Sequence, residues 1–183
     1  MSDAESNLQA AERVVALLAE NGVSAVVIGA VAMAAYRYVR HTEDIDLGVN
    51  ADLSKMRFLA NALKNEGFDV EFREPDGEDP LGGVIDISSD FGLVQVVNFA
   101  DRFPAAIDDS LAGESLTVRP GSELRLAPLA QLIALKLYAG GLRSKADILE
   151  LLRRNPDADI AAIRSTCQRY RLRGLNAILA ELD

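Results

Sequence analysis

The longest apolar run in the sequence, Val23 to Tyr36, constrains the fold more than any other feature. It reads V-S-A-V-V-I-G-A-V-A-M-A-A-Y. A membrane-spanning helix needs about 20 consecutive apolar residues, so this run is too short to be one. The β-branched residues precede Gly29 and the alanines follow it. This order predicts a buried strand, a tight turn and a buried helix.

The apolar spacing elsewhere predicts two kinds of region. Up to residue 126, segments with helical spacing alternate with short β-branched runs that are typical of strands. The helices are predicted at residues 7–21, 30–38 and 54–66, and the further strands at residues 44–49, 68–73, 84–87 and 93–99. From residue 128 onward only helices are predicted, at residues 129–138, 145–154, 159–170 and 172–182. We therefore expect an α+β fold, with a small mixed β-sheet flanked by helices in residues 1–126 and a helical C-terminal region in residues 127–183.

Length and charge narrow the class of protein. A chain of 183 residues suffices for one domain, or for one α/β domain with a small helical appendage. The net charge of −9 argues against a general nucleic-acid-binding protein, which normally presents a basic surface. The single cysteine, Cys167, excludes an internal disulfide. The N-terminus, M-S-D-A-E-S, is too polar for a signal peptide, so we expect a cytoplasmic protein without a membrane partner.

Two aspartates, Asp44 and Asp46, interrupt an otherwise apolar strand that reads D-I-D-L-G-V. Residues two apart on a strand face the same side, so both carboxylates point together, away from Ile45 and Leu47. Adjacent carboxylates repel each other unless a cation or a proton intervenes. Mg²⁺, which binds one or two carboxylates together with phosphate oxygens and water, would remove this repulsion. Alternatively, the two aspartates only mark the solvent-exposed face of an edge strand.

The turn at Gly29 and Ala30 makes the metal hypothesis the stronger one. A glycine between a strand and a helix lets the backbone approach a phosphate, and the start of a helix favours an anion. A phosphate site and a metal site on neighbouring elements together indicate nucleotide chemistry, in which a metal assists phosphoryl or nucleotidyl transfer.

These residues resemble the nucleotidyltransferase superfamily. Its first motif is a hydrophobic residue, glycine, and glycine or serine, followed after a spacer by two acids that alternate with hydrophobic residues. Here residues 28–30 read I-G-A and residues 44–47 read D-I-D-L, with Ala30 in the glycine-or-serine position. Residues 40–47, R-H-T-E-D-I-D-L, are similar to the form found in minimal and AbiEii-type (abortive-infection, toxin–antitoxin) members. Residues 126–148 are similar to the helical segment of those proteins.

The resemblance implies a reaction and a set of ligands. It implies the nucleotidyltransferase fold and transfer of a nucleoside monophosphate from a nucleoside triphosphate to an acceptor hydroxyl, with release of pyrophosphate. Asp44 and Asp46 would be catalytic and would hold one or two Mg²⁺ ions, while Gly29 and Ala30 would bind the triphosphate. The acceptor stays open between a protein hydroxyl, an RNA end and a small molecule. A cognate protein partner, as in a two-gene toxin–antitoxin pair, is also compatible with the resemblance.

Four further residues are candidates for nucleotide binding. The resemblance gives Lys136 a contact with the triphosphate, although a lysine in an apolar helix can equally extend its ammonium group to solvent. Lys145 could bind phosphate or lie on a solvated face. Arg40 and Thr42 flank the aspartate pair, where they could orient Asp44, contact the nucleotide or hold the connecting turn.

The third carboxylate of the family is the main departure. The family places it on a later strand, and the residue that we align with it is Gln95. Asp86 is the candidate replacement, either to complete the metal site or to accept the proton. If residues 90–91 form a two-residue turn, Ser89 pairs with Gly92 and Asp86 lies opposite Gln95 on the same face. A shift of one residue would turn Asp86 to the other face.

Two other classes of function remain open. Because a glutamine cannot act as a base, the chain could be a catalytically silent module with a nucleotidyltransferase fold that binds a nucleotide or a partner. It could also be a structural domain with an acidic strand. The three hypotheses differ in whether the protein binds a Mg²⁺–nucleotide complex and whether it turns the nucleotide over.

Overall fold

A five-stranded mixed sheet lies at the centre of the molecule, and its strands correspond to the predicted apolar runs. The structure is a computed structural model that describes residues 3–42, 44–76, 81–89, 92–113 and 116–182. The strands are β1 (Ala25–Ile28), β2 (Asp44–Val49), β3 (Asp69–Arg73), β4 (Val84–Ser89) and β5 (Gly92–Asn98). They lie in the order β1-β2-β5-β4-β3. Only β2 and β5 run parallel to each other, and the other neighbouring pairs are antiparallel.

Helices flank this sheet, which confirms the predicted α+β class. In the described part of the chain they are α1 (Asp3–Glu20), α2 (Gly29–Ala35), α3 (Leu53–Asn65), α4 (Pro104–Ala112), α5 (Leu129–Ala139), α6 (Gly141–Arg154), α7 (Ile160–Arg169) and α8 (Leu175–Leu179). Within that part, no helix is both long enough and apolar enough to cross a membrane.

The two faces of the sheet have different environments. Ile45 and Leu47 of β2 and Val94 and Val96 of β5 are buried, and α1 contacts both strands. Because side chains alternate along a strand, the residues between them face the opposite side of the sheet. On β2 these are Asp44 and Asp46, which are only partly buried. Apolar burial against α1 therefore fixes the direction in which the carboxylates point.

Several helices differ from their predicted extents, and α1 and α6 each begin four residues earlier than predicted. The second helix ends at Ala35 rather than near residue 38, because Arg37 adopts the left-handed conformation (φ 63°) and Tyr38 N donates back to Met33 O. Helix α4 was not predicted at all. The last helix is shorter than predicted, since Gly174, with φ 97°, immediately precedes its start.

The C-terminal helices share one hydrophobic core with the sheet. Buried residues of α5, such as Leu132 and Ile133, belong to the same cluster as Leu47 of β2. The backbone at Leu126 forms a parallel bridge with Val27 in β1, which starts the C-terminal segment alongside the sheet. The division into residues 1–126 and 127–183 stays a prediction about domain organisation.

Candidate active site

Gly29 brings the backbone directly against one of the two carboxylates. In the register of β1 and β2, Ile28 pairs with Asp46, so the next residue turns beside that side chain. Gly29 has φ +68°, which only glycine adopts without strain, and a Cβ atom there would overlap Oδ2 of Asp46. Ala30 follows as a buried residue of α2. The structure thus brings together the turn and the acidic strand of the first motif.

Asp44 and Asp46 lie on one face at the entrance of β2. Thr42 holds the backbone there, because its Oγ1 accepts from Asp44 N at 3.1 Å and donates to Asp44 O at 3.2 Å. Of the roles considered for Thr42, the structure shows the one in which it holds the turn. Glu43, between them, lies outside the described residues.

Burial and a neighbouring carboxylate dominate the electrostatics of Asp46. Burial raises the pKa of Asp46, the neighbouring charge of Asp44 raises it further, and the cations Lys136 and Arg40 act in the opposite direction. The net pKa lies above the ordinary value, because the two cations do not offset burial and repulsion. A divalent cation bound between the carboxylates would favour the ionised form of both. The donor set therefore fits Mg²⁺, which prefers such oxygen ligands.

Lys136 and Arg40 are held near this pair by a buried aspartate, Asp147. Lys136 Nζ lies 2.8 Å from Asp147 Oδ2, and Arg40 Nη1 lies 3.3 Å from each carboxylate oxygen. Tyr38 donates its hydroxyl to Oδ1 at 3.2 Å. The Asp147 side chain is 3% exposed, against 17% for Lys136 and 27% for Arg40. We call these four residues the Asp147 cluster.

Asp147 is the site residue that sequence reasoning missed. Its burial follows from its place in α6, where Asp147, Ile148, Leu151 and Leu152 are the buried residues. An aspartate thus occupies a position in the apolar stripe of an amphipathic helix, which is a signal that the sequence does contain. A charged residue in such a stripe requires partners, and the partners come from elements distant in sequence.

Lys145 does not join this group. Its ammonium lies 2.6 Å from Glu181 Oε1, and both side chains are more than a third exposed. Residues two apart on a helix differ by about 200° around its axis, so Lys145 faces away from the side on which Asp147 is buried. Its predicted contact with the nucleotide stays a prediction that no contact in the structure supports.

Asp86 and Gln95 have the predicted register. Ser89 pairs with Gly92, and Asp86 pairs with Gln95, although residues 90 and 91 of the predicted turn lie outside the described residues. Gln95 in turn pairs with Asp46, so the three residues form one row across β2, β5 and β4. Asp86 is consequently two strands from the aspartate pair, with Gln95 between them.

Arg73 and Gln95 bind the carboxylate of Asp86. Arg73 Nε and Nη2 donate to it at 2.6 and 3.2 Å, and Gln95 Nε2 donates at 2.5 Å. Burial acts to raise the pKa of Asp86, but the hydrogen bonds from Arg73 and Gln95 outweigh it and the pKa is lowered. Within the described residues, no three acidic, histidine or cysteine side chains are grouped as a metal site. These contacts do not support Asp86 as a direct third ligand or as a proton acceptor.

A cavity of about 280 Å³ opens beside the aspartate pair. Gly29, Asp46 and Lys136 line one part of it, and apolar residues that include Phe99 and Tyr138 line the rest. The charged groups thus meet a cavity whose remaining wall is apolar, as is usual for sites that take an organic ligand.

Among known proteins, only solved structures match this chain, and they have a similar fold. No protein-family model matches the chain, and no curated protein matches its sequence. Among solved structures, it is similar to the antibiotic-resistance factor ANT(2'')-Ia in solution, with 16% identity, coverage of 91% of this chain and 92% of that chain, and a TM-score of 0.57. The crystal structure of ANT(2'')-Ia in complex with adenylyl-2''-tobramycin matches with 15% identity, 91% and 97% coverage, and a TM-score of 0.55.

A third structure widens the range of relatives. An antigenic nucleotidyltransferase-like protein from Paracoccidioides brasiliensis matches with 16% identity, coverage of 90% of this chain and 87% of that chain, and a TM-score of 0.54. At such identities the likeness shows that the chain shares its fold with these proteins. The AbiEii-type subfamily is not confirmed by these neighbours.

Proposed function

We propose that the protein transfers a nucleoside monophosphate from a nucleoside triphosphate to an acceptor hydroxyl. One observation carries the proposal: on a nucleotidyltransferase fold, the Gly29 backbone lies against Asp46 beside Asp44, with two cations near the pair. The acceptor oxygen would bond to the α-phosphorus, the bond to the bridging oxygen would break, and pyrophosphate would leave.

Different residues of the site would bind the metal and the triphosphate. Asp44 and Asp46 would hold one or two Mg²⁺ ions, which when bound supply positive charge to the phosphate oxygens. Lys136 and Arg40, whose charges act on Asp46, would contact the triphosphate. Arg40 Nε is buried and has no hydrogen-bond partner among the described residues, so this donor is not engaged within the protein. Gly29 and Ala30 would accommodate the same chain of phosphates along their backbone.

A second function is favoured by the row that contains Gln95. Because an amide stands beside Asp46 and Arg73 binds Asp86, neither of these two positions in the row offers an unengaged carboxylate to accept a proton. The same geometry would therefore suit a module that binds a Mg²⁺–nucleotide complex or a protein partner without turnover. Such a module would serve, for example, as one component of a two-gene toxin–antitoxin pair.

The acceptor is the least constrained part of the proposal. ANT(2'')-Ia has been crystallised with adenylyl-2''-tobramycin, so a small-molecule hydroxyl is one candidate class. A protein hydroxyl and an RNA end are the others. The apolar wall of the cavity favours an acceptor or a base with an apolar face over a polycation, which would require additional carboxylates.

The test is turnover of labelled nucleotides. The purified protein, incubated with Mg²⁺ and each α-labelled nucleoside triphosphate together with candidate acceptors, should transfer label and release pyrophosphate. Asp44→Asn should reduce the rate at least about 100-fold, because it removes a ligand of the catalytic metal. Glu181→Gln, which changes a distant exposed carboxylate, is the matched control and should retain activity. Full activity of Asp44→Asn would refute the proposal, and nucleotide binding without turnover would favour the silent module.

A further inference from the structure

Gln95 occupies the centre of the polar row beside the aspartate pair. Neighbouring strands lie about 4.8 Å apart, so Gln95 is one strand from Asp46 and Asp86 is roughly twice as far. All three side chains face the same side of the sheet, because directly paired residues share a face. Gln95 is thus the member of the row next to Asp46, and Asp86 lies beyond it.

The orientation of the Gln95 amide follows from its partner. Asp86 is a carboxylate in a two-pronged contact with Arg73, and such a carboxylate only accepts hydrogen bonds. The Gln95 amide must therefore turn its NH₂ group toward β4, and Nε2 does donate to Asp86 Oδ1 at 2.5 Å. The amide oxygen, attached to the same carbon, is consequently directed away from β4. Within the described part of the chain, this Oε1 accepts no hydrogen bond.

We propose that Gln95 provides its amide oxygen as a neutral third ligand for the divalent cation held by Asp44 and Asp46. Amide oxygens are ordinary ligands of such cations, alongside carboxylates and water. Asp86 and Arg73 are positioning residues in this site, since they fix which end of the amide faces the metal. The inference rests on the proposed function only in that both place the cation at Asp44 and Asp46.

The neutral ligand changes the charge of the site. Two carboxylates and an amide bring a charge of −2, whereas three carboxylates would bring −3, so the cation is held more weakly in the absence of a nucleotide. The triphosphate supplies the missing negative charge and oxygen ligands when it arrives. The cation is therefore expected to bind tightly only together with the nucleotide.

The test measures the cation directly. Mn²⁺, which favours the same oxygen ligands and is paramagnetic, is titrated into the full-length protein and followed by electron paramagnetic resonance, with and without a non-hydrolysable nucleoside triphosphate. Gln95→Glu should tighten nucleotide-free binding at least about 10-fold, because a carboxylate replaces an amide. Gln95→Leu should weaken binding in the presence of nucleotide by about the same factor.

The positioning role of Asp86 is tested by whether its effect on Mn²⁺ binding depends on Gln95. Asp86→Asn retains the shape of the side chain but lets the Gln95 amide turn either way, so Mn²⁺ binding should weaken severalfold. This effect should vanish in the Gln95→Leu background, where no amide remains to be oriented. Glu71→Gln is the matched control, since it removes one negative charge at the position paired with Asp86 on β3 and should leave Mn²⁺ binding unchanged. The fold of each variant is verified by thermal unfolding.

The outcomes separate the two proposals. If Asp44→Asn abolishes Mn²⁺ binding while Gln95→Leu leaves it unchanged, the site at the aspartate pair stands and the role of Gln95 is refuted. An effect of Asp86→Asn that persists in the Gln95→Leu background refutes the positioning role. If the wild-type protein with nucleotide binds no Mn²⁺, both the metal site and the inference fail.

Discussion

Replacing Asp147 with asparagine should destabilise the protein and loosen the cations that face the proposed nucleotide. The Asp147 side chain is 3% exposed and is bonded by Lys136, Arg40 and Tyr38. Asparagine has nearly the same volume, so the change removes the charge without leaving a cavity. Two cations then lose their counter-charge in a largely buried position.

The size of the effect follows from the burial of each partner. Breaking a fully buried ion pair by removing one member costs about 3–5 kcal/mol, because the other member remains buried and unpaired. Lys136 and Arg40 are 17% and 27% exposed, so water solvates them in part and the cost falls toward the lower end. We expect a loss of about 3 kcal/mol in the free energy of unfolding. For a chain of this size, that corresponds to a decrease in Tm of about 6–12 °C.

Equilibrium unfolding in urea and thermal unfolding followed by circular dichroism would measure this loss. The matched control is Glu181→Gln, which breaks the Lys145 pair at 2.6 Å, where both side chains are more than a third exposed. The free energy of unfolding of that variant should fall by less than about 0.5 kcal/mol, because exposed ion pairs contribute little to stability. A double-mutant cycle with Lys136→Met should give a coupling energy of about 1–3 kcal/mol. If Asp147→Asn costs no more than the control, the explanation of the Asp147 cluster is wrong.

Two further predictions test the motif turn and an ion cluster remote from it. Gly29→Ala should lower the free energy of unfolding by about 1–3 kcal/mol and abolish nucleotide turnover, because the new Cβ would overlap a carboxylate and the residue would be strained at a positive φ. Gly121→Ala is the control for strain alone, because Gly121 has φ +78° and open space around it. It should lower the free energy of unfolding by about 1 kcal/mol. Arg119 lowers the pKa of Glu12 through hydrogen bonds, so the stability from this contact is fully present above the ordinary glutamate pKa of 4.5 and is lost as the pH falls through the lowered value. Arg119→Gln should therefore destabilise the protein at pH 7 and cause a smaller loss in the free energy of unfolding near pH 3, as urea unfolding at the two pH values would show. An equal loss at both would contradict this explanation.

The parts of the structure that were predictable are those set by local spacing. The alternation around Asp44 and Asp46 predicted their common face, and the register of β4 and β5 followed from the number of residues between Asp86 and Gln95. Both depend on the two-residue repeat of strands, which sequence displays directly. Gly29 was predicted to let the backbone approach a phosphate, and in the structure a Cβ atom at this position would overlap the carboxylate of Asp46.

The parts that were not predictable depend on contacts between distant segments. Lys136 and Asp147 are eleven residues apart on successive helices, while Arg40 approaches from a loop more than one hundred residues earlier. No local pattern shows that a phosphate-binding candidate already has a buried carboxylate as its partner. Helix α4 was also missed, because its start has no side-chain hydrogen bond to an N-cap residue and is signalled only by proline at its first position.

The contact of Asp86 with Arg73 bears on whether the site turns a nucleotide over. In this row the acid stands one strand farther from Asp46 than in the motif that the sequence resembles, and a guanidinium binds it there. The charge near the proposed triphosphate site is thereby less negative than three carboxylates would make it, which would favour binding of the anion. The same change removes the group that would take a proton from the acceptor hydroxyl, which slows the chemical step. The absence of a third carboxylate beside Asp46 would thus strengthen nucleotide binding and slow turnover. Affinity for a nucleotide would therefore support the proposed site, whereas only the rate of transfer distinguishes an enzyme from a binding module.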